Sequence, residues 1–140
     1  MKIFLDANII VDLLDKPGYD HELAVEVVRI IRLSKKPIYV SPTTFAITWY
    51  LFSKRNKGSK NVRAVLIDFF KHFSFTSEDA AVMKNVLTSN FIDLEDALQY
   101  YSAKQQGIEL IITKNKKDFI QSAEIKVIHP AEFIELHYDN

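Results

Sequence analysis

The chain has 140 residues, 48% of them hydrophobic, with 18 Lys and Arg balanced by 18 Asp and Glu, and no cysteine. That length suits one domain over 1–140 with one core. The absent cysteines exclude disulfides and thiolate metal sites, and the zero net charge speaks against a protein that coats duplex DNA. No apolar run is long enough to span a membrane, and the acid at position 6 comes too early for a secretory signal, so a cytoplasmic location and no membrane partner are expected.

In chain order, residues 2–5 read as a short apolar strand that runs into Asp6-Ala7-Asn8. Asn8 is a favourable N-cap for a helix from Ile9, and Pro17-Gly18 breaks that helix. Ala24, Val27, Val28 and Ile31 recur at helical spacing and mark a helix from Tyr19 to Leu33. Residues 37–40 form the next strand, and Ser41-Pro42 opens a third helix with Phe45, Trp49 and Phe52 on one face. The basic, polar run 53–60 reads as a turn between helices rather than a phosphate track. The helix after it places Val62, Val65, Leu66, Phe69 and Phe70 on one face. Residues 73–75 form a strand, a helix runs from Ser77 or Ala80 to Leu87, and Asp93 caps a helix that stops at Gly107. Strands over 109–112 and 125–128 and a last helix after His129-Pro130 complete the chain. Short strands alternating with helices predict an α/β fold, a three-layer α/β/α sandwich around a central, mainly parallel sheet.

Two of these strands end on carboxylates. Leu110-Ile111-Ile112 leads into Thr113-Lys114-Asn115-Lys116-Lys117-Asp118, much as the first strand leads into Asp6. Ligands of open α/β sheets sit beyond the carboxyl ends of the strands, where strand order reverses, so polar groups at two such ends can converge. A third acidic cluster, Asp93-Leu94-Glu95-Asp96, opens a helix between them. Asp6, Asp96 and Asp118 are the candidate catalytic and metal-binding residues, since hard divalent cations such as Mg²⁺ or Mn²⁺ take oxygen ligands. Asn8 is placed to orient Asp6, and Asp93, Thr113 and Asn115 to support the acids. Each has a purely structural alternative: Asp93 and Asp96 have the spacing of a capping pair, and Asp118 can pair with a neighbouring lysine. Lys114, Lys116 and Lys117 are candidate phosphate contacts for RNA, although surface lysines commonly just face water. Tyr100 lines the same site or packs in the core. The four histidines lack metal-ligand spacing.

In order and spacing, Ile3-Phe4-Leu5-Asp6-Ala7-Asn8, Glu95-Asp96-Ala97-Leu98, and Ile111-Ile112-Thr113-Lys114-Asn115 with Lys117-Asp118-Phe119 resemble the PIN-domain family, and most closely its VapC-like bacterial toxins. The resemblance covers residues 2 to about 134. It implies a Mg²⁺- or Mn²⁺-dependent endoribonuclease acting on RNA, the toxin of a toxin–antitoxin pair, with an antitoxin partner and a homodimer. Asp6, Asp96 and Asp118 match the family's first, third and fourth acids, and Asn8 and Thr113 its supporting polar residues. One departure stands out: the family's second acid, a Glu in the helix after the second strand, is Ile47 here. Either Asp93 substitutes for it, or the site holds one metal weakly, or cleavage is lost and the domain binds RNA or a protein partner. A phosphotransfer domain also places an Asp after its first strand, but its phosphatase form wants a second Asp where Asn8 stands.

Overall fold

The computed structural model describes residues 1–119 and 124–138. Its elements run β1 (Ile3–Leu5), α1 (Ala7–Leu14), α2 (Tyr19–Leu33), β2 (Ile38–Val40), α3 (Pro42–Arg55), α4 (Val62–Phe70), β3 (Ser74–Phe75), α5 (Ala80–Leu87), α6 (Leu94–Gln105), β4 (Leu110–Ile112), a 3₁₀ turn (Lys116–Phe119), β5 (Lys126–Ile128) and α7 (Pro130–Tyr138). The expected elements are all present, with ends shifted by up to three residues; α3 takes in Ser53, Lys54 and Arg55 of the run expected to be a turn. The main surprise is the 3₁₀ turn, where only a loop was expected.

The strands pair in the order β3-β2-β1-β4-β5, every pair parallel. Strand order therefore reverses at β1, which pairs with β2 on one side and β4 on the other.

Side chains alternate between the faces of a strand, and each face meets its own layer of helices. Ile3, Leu5, Ile38, Val40, Leu110, Ile112 and Ile128 pack with residues of α1, α2, α4 and α7. Phe4 and Ile111 point the other way, toward Tyr100 and Ala103 of α6 and toward Phe119. Burial on both faces explains why these strands are almost wholly apolar. Phe45, Trp49 and Phe52 of α3 pack half-buried against the first core. On α4, Leu66 and Phe70 are buried, but Val65, expected on the same face, is exposed.

Local chemistry sets the boundaries. Ser41 and Thr44 form a reciprocal capping box on α3, with Pro42 in its first turn. Gly107, at φ 79°, supplies the left-handed turn after α6. Among the described residues, no helix is long and apolar enough to cross a membrane.

Candidate active site

The residue after each of the first four strands is polar and buried: Asp6, Ser41, Thr76 and Thr113. Three of them extend the ladder by one bond: Asp6 N–H donates to Ile112 O at 3.0 Å, Thr113 N–H to Ile128 O at 3.0 Å, and Thr76 N–H to Val40 O at 2.8 Å. Strand parity then decides where they point. Leu5 faces the first core, so Asp6 faces the α6 side; Ile112 does the same for Thr113. The sheet thus presents a polar shelf to α6 along its carboxyl edge, and α6 answers with Asp96, Gln99 and Ser102, three residues apart and so on one face.

Asp6 is the centre of this shelf. Its Oδ1 accepts from Ala7 N–H at 2.7 Å, and its Oδ2 accepts from Thr113 Oγ1 at 2.7 Å and Asn8 Nδ2 at 3.0 Å. Asn8 Nδ2 also lies 3.2 Å from Thr113 Oγ1, and Asn8 Oδ1 accepts from Lys114 N–H at 3.4 Å. The expected bond from Asn8 to Asp6 is therefore present. The expected helix start is corrected: α1 begins at Ala7, and Asp6 itself is the N-cap. The carboxylate reaches the first free N–H of the helix, so Asp6 does two jobs where the sequence offered Asn8 for one of them.

Asp96, half-buried, stands in the first turn of α6, whose N-cap is Asp93; Asp93 Oδ1 accepts from Asp96 N–H at 3.0 Å. Glu95 is exposed. Asp118 lies exposed on the 3₁₀ turn, which is tied down on either side by the buried Phe119 and by Asp118 N–H donating to Asn115 O at 3.0 Å. Asn115 contributes its backbone: its N–H donates to Thr113 Oγ1 at 3.1 Å.

Charge joins the three acids. Burial pushes the Asp6 carboxyl above its ordinary value; hydrogen bonds from Thr113, Gln99 and Ala7 pull it back, and the charge of Asp118 adds to the rise. Asp96 is pushed up to about 7, first by burial, then by the negative charges of Asp93, Asp6, Asp118 and Glu95. The three carboxylates are thus near enough to repel one another. Among the described residues, no three acidic or imidazole groups form a ready-made chelating cluster. The donors are all hard oxygens with excess negative charge, which fits a cation such as Mg²⁺ that keeps part of its water shell and is held partly through it.

The lysines behave differently from one another. Lys114 Nζ lies 2.7 Å from Asp12 Oδ2 and 3.3 Å from Asp20 Oδ2. Burial pulls its ammonium down, but its hydrogen bonds and the charges of both aspartates outweigh that and raise it. Lys114 turns back over α1 and α2, where Asp12 is itself buried and needs a counter-charge. Lys116 Nζ is engaged 2.9 Å from Glu132 Oε1. Lys117 is exposed, with no ion pair among the described residues. Tyr100 packs with Phe91 and Tyr101 in the second core.

Sequence reasoning passed over Gln99, Thr44, Thr76 and Ser102. Gln99 Oε1 accepts from Ala7 N–H at 3.1 Å and from Thr44 Oγ1 at 3.2 Å. Ser102 Oγ contacts Thr76 Oγ1 and donates to Ser77 O at 2.8 Å. The available signal was a polar residue directly after each strand, matched by polar residues at three-residue spacing on α6.

Residues 3–125 match the family model described as PIN domain. The chain belongs to the PIN domain family. It is 31% identical over 137 residues to Ribonuclease VapC1 of Aquifex aeolicus (strain VF5), covering 96% of this chain and 94% of the relative. Its fold matches that of VapBC2 from Rickettsia felis, solved bound to a promoter DNA fragment, at TM-score 0.69 and 18% identity over 92% of this chain and 98% of that one. It also matches Mycobacterium tuberculosis VapC20, a Sarcin-Ricin loop cleaving toxin, at TM-score 0.60 and 19% identity, covering 79% of this chain and 87% of that one. In this PIN domain the position expected to carry the family's second acid is Ile47, half-buried on α3.

Proposed function

We propose that this PIN domain, a single unit over 1–140, is a Mg²⁺- or Mn²⁺-dependent endoribonuclease and the toxin of a toxin–antitoxin pair. The observation that carries the reading is the placement of Asp6 at the point where strand order reverses, its carboxylate held by Ala7, Asn8 and Thr113, with Asp96 in the first turn of α6. Similarity to a VapC ribonuclease over nearly the whole chain supports the reaction class.

Hydrolysis consumes one water, breaks one P–O bond of the RNA backbone, and leaves one phosphomonoester end and one hydroxyl end. A bound divalent cation supplies Lewis acidity and favours ionisation of water. Asp6, Asp96 and Asp118 are the residues that hold it. Thr113 and the helix N-terminus at Ala7 fix the orientation of Asp6, and this preorganisation lowers the cost of binding. Asn8, half-buried, donates to Asp6 Oδ2 at 3.0 Å and helps to orient it. Lys117 at the mouth contacts the RNA phosphates.

The partner belongs to the same reading. A groove of about 970 Å³ between α3 and α4 has an apolar floor of Phe45, Trp49, Tyr50 and Ile67 and is edged by Lys54, Lys57 and Arg63. It suits an amphipathic antitoxin segment with acidic flanks. Exposed Leu87, Ile92 and Leu94 give apolar surface for a homodimer, which light scattering tests as a mass twice that of the chain.

The experiment for the activity is cleavage of labelled single-stranded RNA with Mn²⁺ and with EDTA, beside Asp6→Asn and Asp96→Asn. Cleavage that needs Mn²⁺ and is lost in both variants is expected; cleavage surviving both substitutions refutes the assigned site. A second reading, a PIN-fold module that binds RNA or protein without cutting it, is favoured by Ile47 standing where the second acid belongs. RNA binding without cleavage at millimolar Mn²⁺ selects that reading.

A further inference from the structure

Among the described residues, Gln99 is the one polar residue in the set of largest fully buried side chains. It lies one turn beyond Asp96 on α6, and its amide joins three elements. Its Oε1 takes the Ala7 N–H at the start of α1 and the hydroxyl of Thr44 on α3. Thr44 Oγ1 already accepts from Ser41 N–H at 3.0 Å, which leaves its own proton for Gln99. Two donors on one end of the amide fix that end as oxygen. The NH₂ end is left for the Asp6 side, and Gln99 is among the groups that pull the Asp6 carboxyl down. Ala7 N–H is shared between Asp6 Oδ1 and Gln99 Oε1, at 2.7 and 3.1 Å, so the two groups lie side by side.

A long polar side chain inside a core is costly unless fully bonded, and an apolar residue would fill the space more cheaply. Ile47, where an acid is expected, sits one turn beyond Thr44 on the same face of α3. We propose that Gln99 is a positioning residue of the acid site, clamping Asp6 and the start of α1 against α3 from the α6 side with a neutral amide where this chain lacks a fourth carboxylate. The inference rests on the nuclease reading for its kinetic consequence but not for the clamp itself.

The test compares Gln99→Leu, which keeps the shape and loses both polar ends, with Gln99→Glu, which keeps the oxygen facing Ala7 and Thr44 and turns a second oxygen toward Asp6. For folded Gln99→Leu, kcat on RNA is expected to fall about 10- to 100-fold and Mn²⁺ affinity by about 10-fold, the range for residues that orient metal ligands, with KM little changed. Gln99→Glu is expected to weaken Mn²⁺ binding measured by calorimetry, because it replaces the donor toward Asp6 with an acceptor and so breaks the clamp while keeping the oxygen on Ala7 and Thr44. Wild-type kcat and Mn²⁺ affinity in folded Gln99→Leu overturn the proposal; so does unchanged or tighter Mn²⁺ binding in Gln99→Glu, should the leucine variant not fold. A metal-free readout separates the clamp from the nuclease. The Gln99 side-chain amide resonance in the apo protein is expected to move in Asp6→Asn. If it does not move, the clamp is wrong whatever the protein cuts. If it moves in a protein that neither binds Mn²⁺ nor cleaves RNA, the nuclease reading alone fails.

Discussion

Asp96 sits under opposing demands. Burial and four neighbouring acids raise its carboxyl to about 7, yet a cation ligand must be ionised. In the metal-free protein the sign follows from linkage. Between the ordinary carboxylate range and about 7, the unfolded chain has released this proton while the folded one keeps it, so stability falls as pH rises through that window. Asp96→Asn removes the titration. Its melting temperature is expected to exceed wild type at pH 8 and to converge with it near pH 4, measured by thermal melts without metal. Adding Mn²⁺ should reverse the ranking at pH 8, because only the wild type gains binding energy. Thr113 makes a different contribution. It is buried and donates to Asp6 at 2.7 Å, so Thr113→Val should weaken Mn²⁺ binding by about 10- to 100-fold, as loss of an orienting hydrogen bond does. At this scale the sequence showed Asp6, Asn8, Asp96, Asp118 and Thr113, because each borders a recognisable run. It hid Gln99 and Thr44, because a single polar residue inside a helix has no local signature and takes its role from the strand end it meets.

Elements carry the site as much as residues do. Asp118 is exposed, but its 3₁₀ turn is anchored by Phe119, only 1% exposed and packed in the second core. Phe119→Ala is expected to cost about 3–5 kcal/mol by denaturant unfolding, the usual range for emptying a buried aromatic site, and to lower RNA cleavage through the displaced turn. The lysines in this loop should part company. Lys114→Met leaves buried Asp12 without its cation, and a stability loss of about 1–3 kcal/mol is expected, with RNA affinity unchanged. Lys117→Met should leave stability alone and reduce the salt slope of RNA binding by about 0.7, the value for one phosphate contact on a single strand. The sequence could not separate these two lysines, since adjacent positions with identical chemistry diverge only once Asp12 and Asp20 on other helices are placed. Helix starts were more legible: the Ser41-Pro42 and Asp93 caps hold in the structure, as chain-local chemistry should. The start of α1 was displaced because two adjacent good caps, Asp6 and Asn8, competed, and the last ladder bond of β1 fixed the choice.

At the scale of the molecule, alternation of short apolar strands with helices was enough to give an α/β/α sandwich, since helical crossovers join parallel strands and cover both faces of their sheet, which makes the strands apolar throughout. What the sequence did not contain was strand order, and order is what creates the site: β1 and β4 lie side by side, so Asp6 and Thr113, 107 positions apart, share a hydrogen bond. The molecule also carries the groove between α3 and α4, with Trp49, the chain's single tryptophan, among its lining residues. A synthetic amphipathic helix with acidic flanks is expected to blue-shift Trp49 emission on binding, and a basic-flanked control to leave it unchanged; equal responses would contradict charge-guided docking. The central claim concerns the carboxyl edge of the sheet, where folding is expected to gather oxygens from the end of β1, α6 and the turn after β4 around one divalent ion. The anomalous difference map of crystals soaked in Mn²⁺ tests it most directly. A peak bounded by Asp6, Asp96 and Asp118 is the predicted result; a strong peak elsewhere with none between these carboxylates would contradict it.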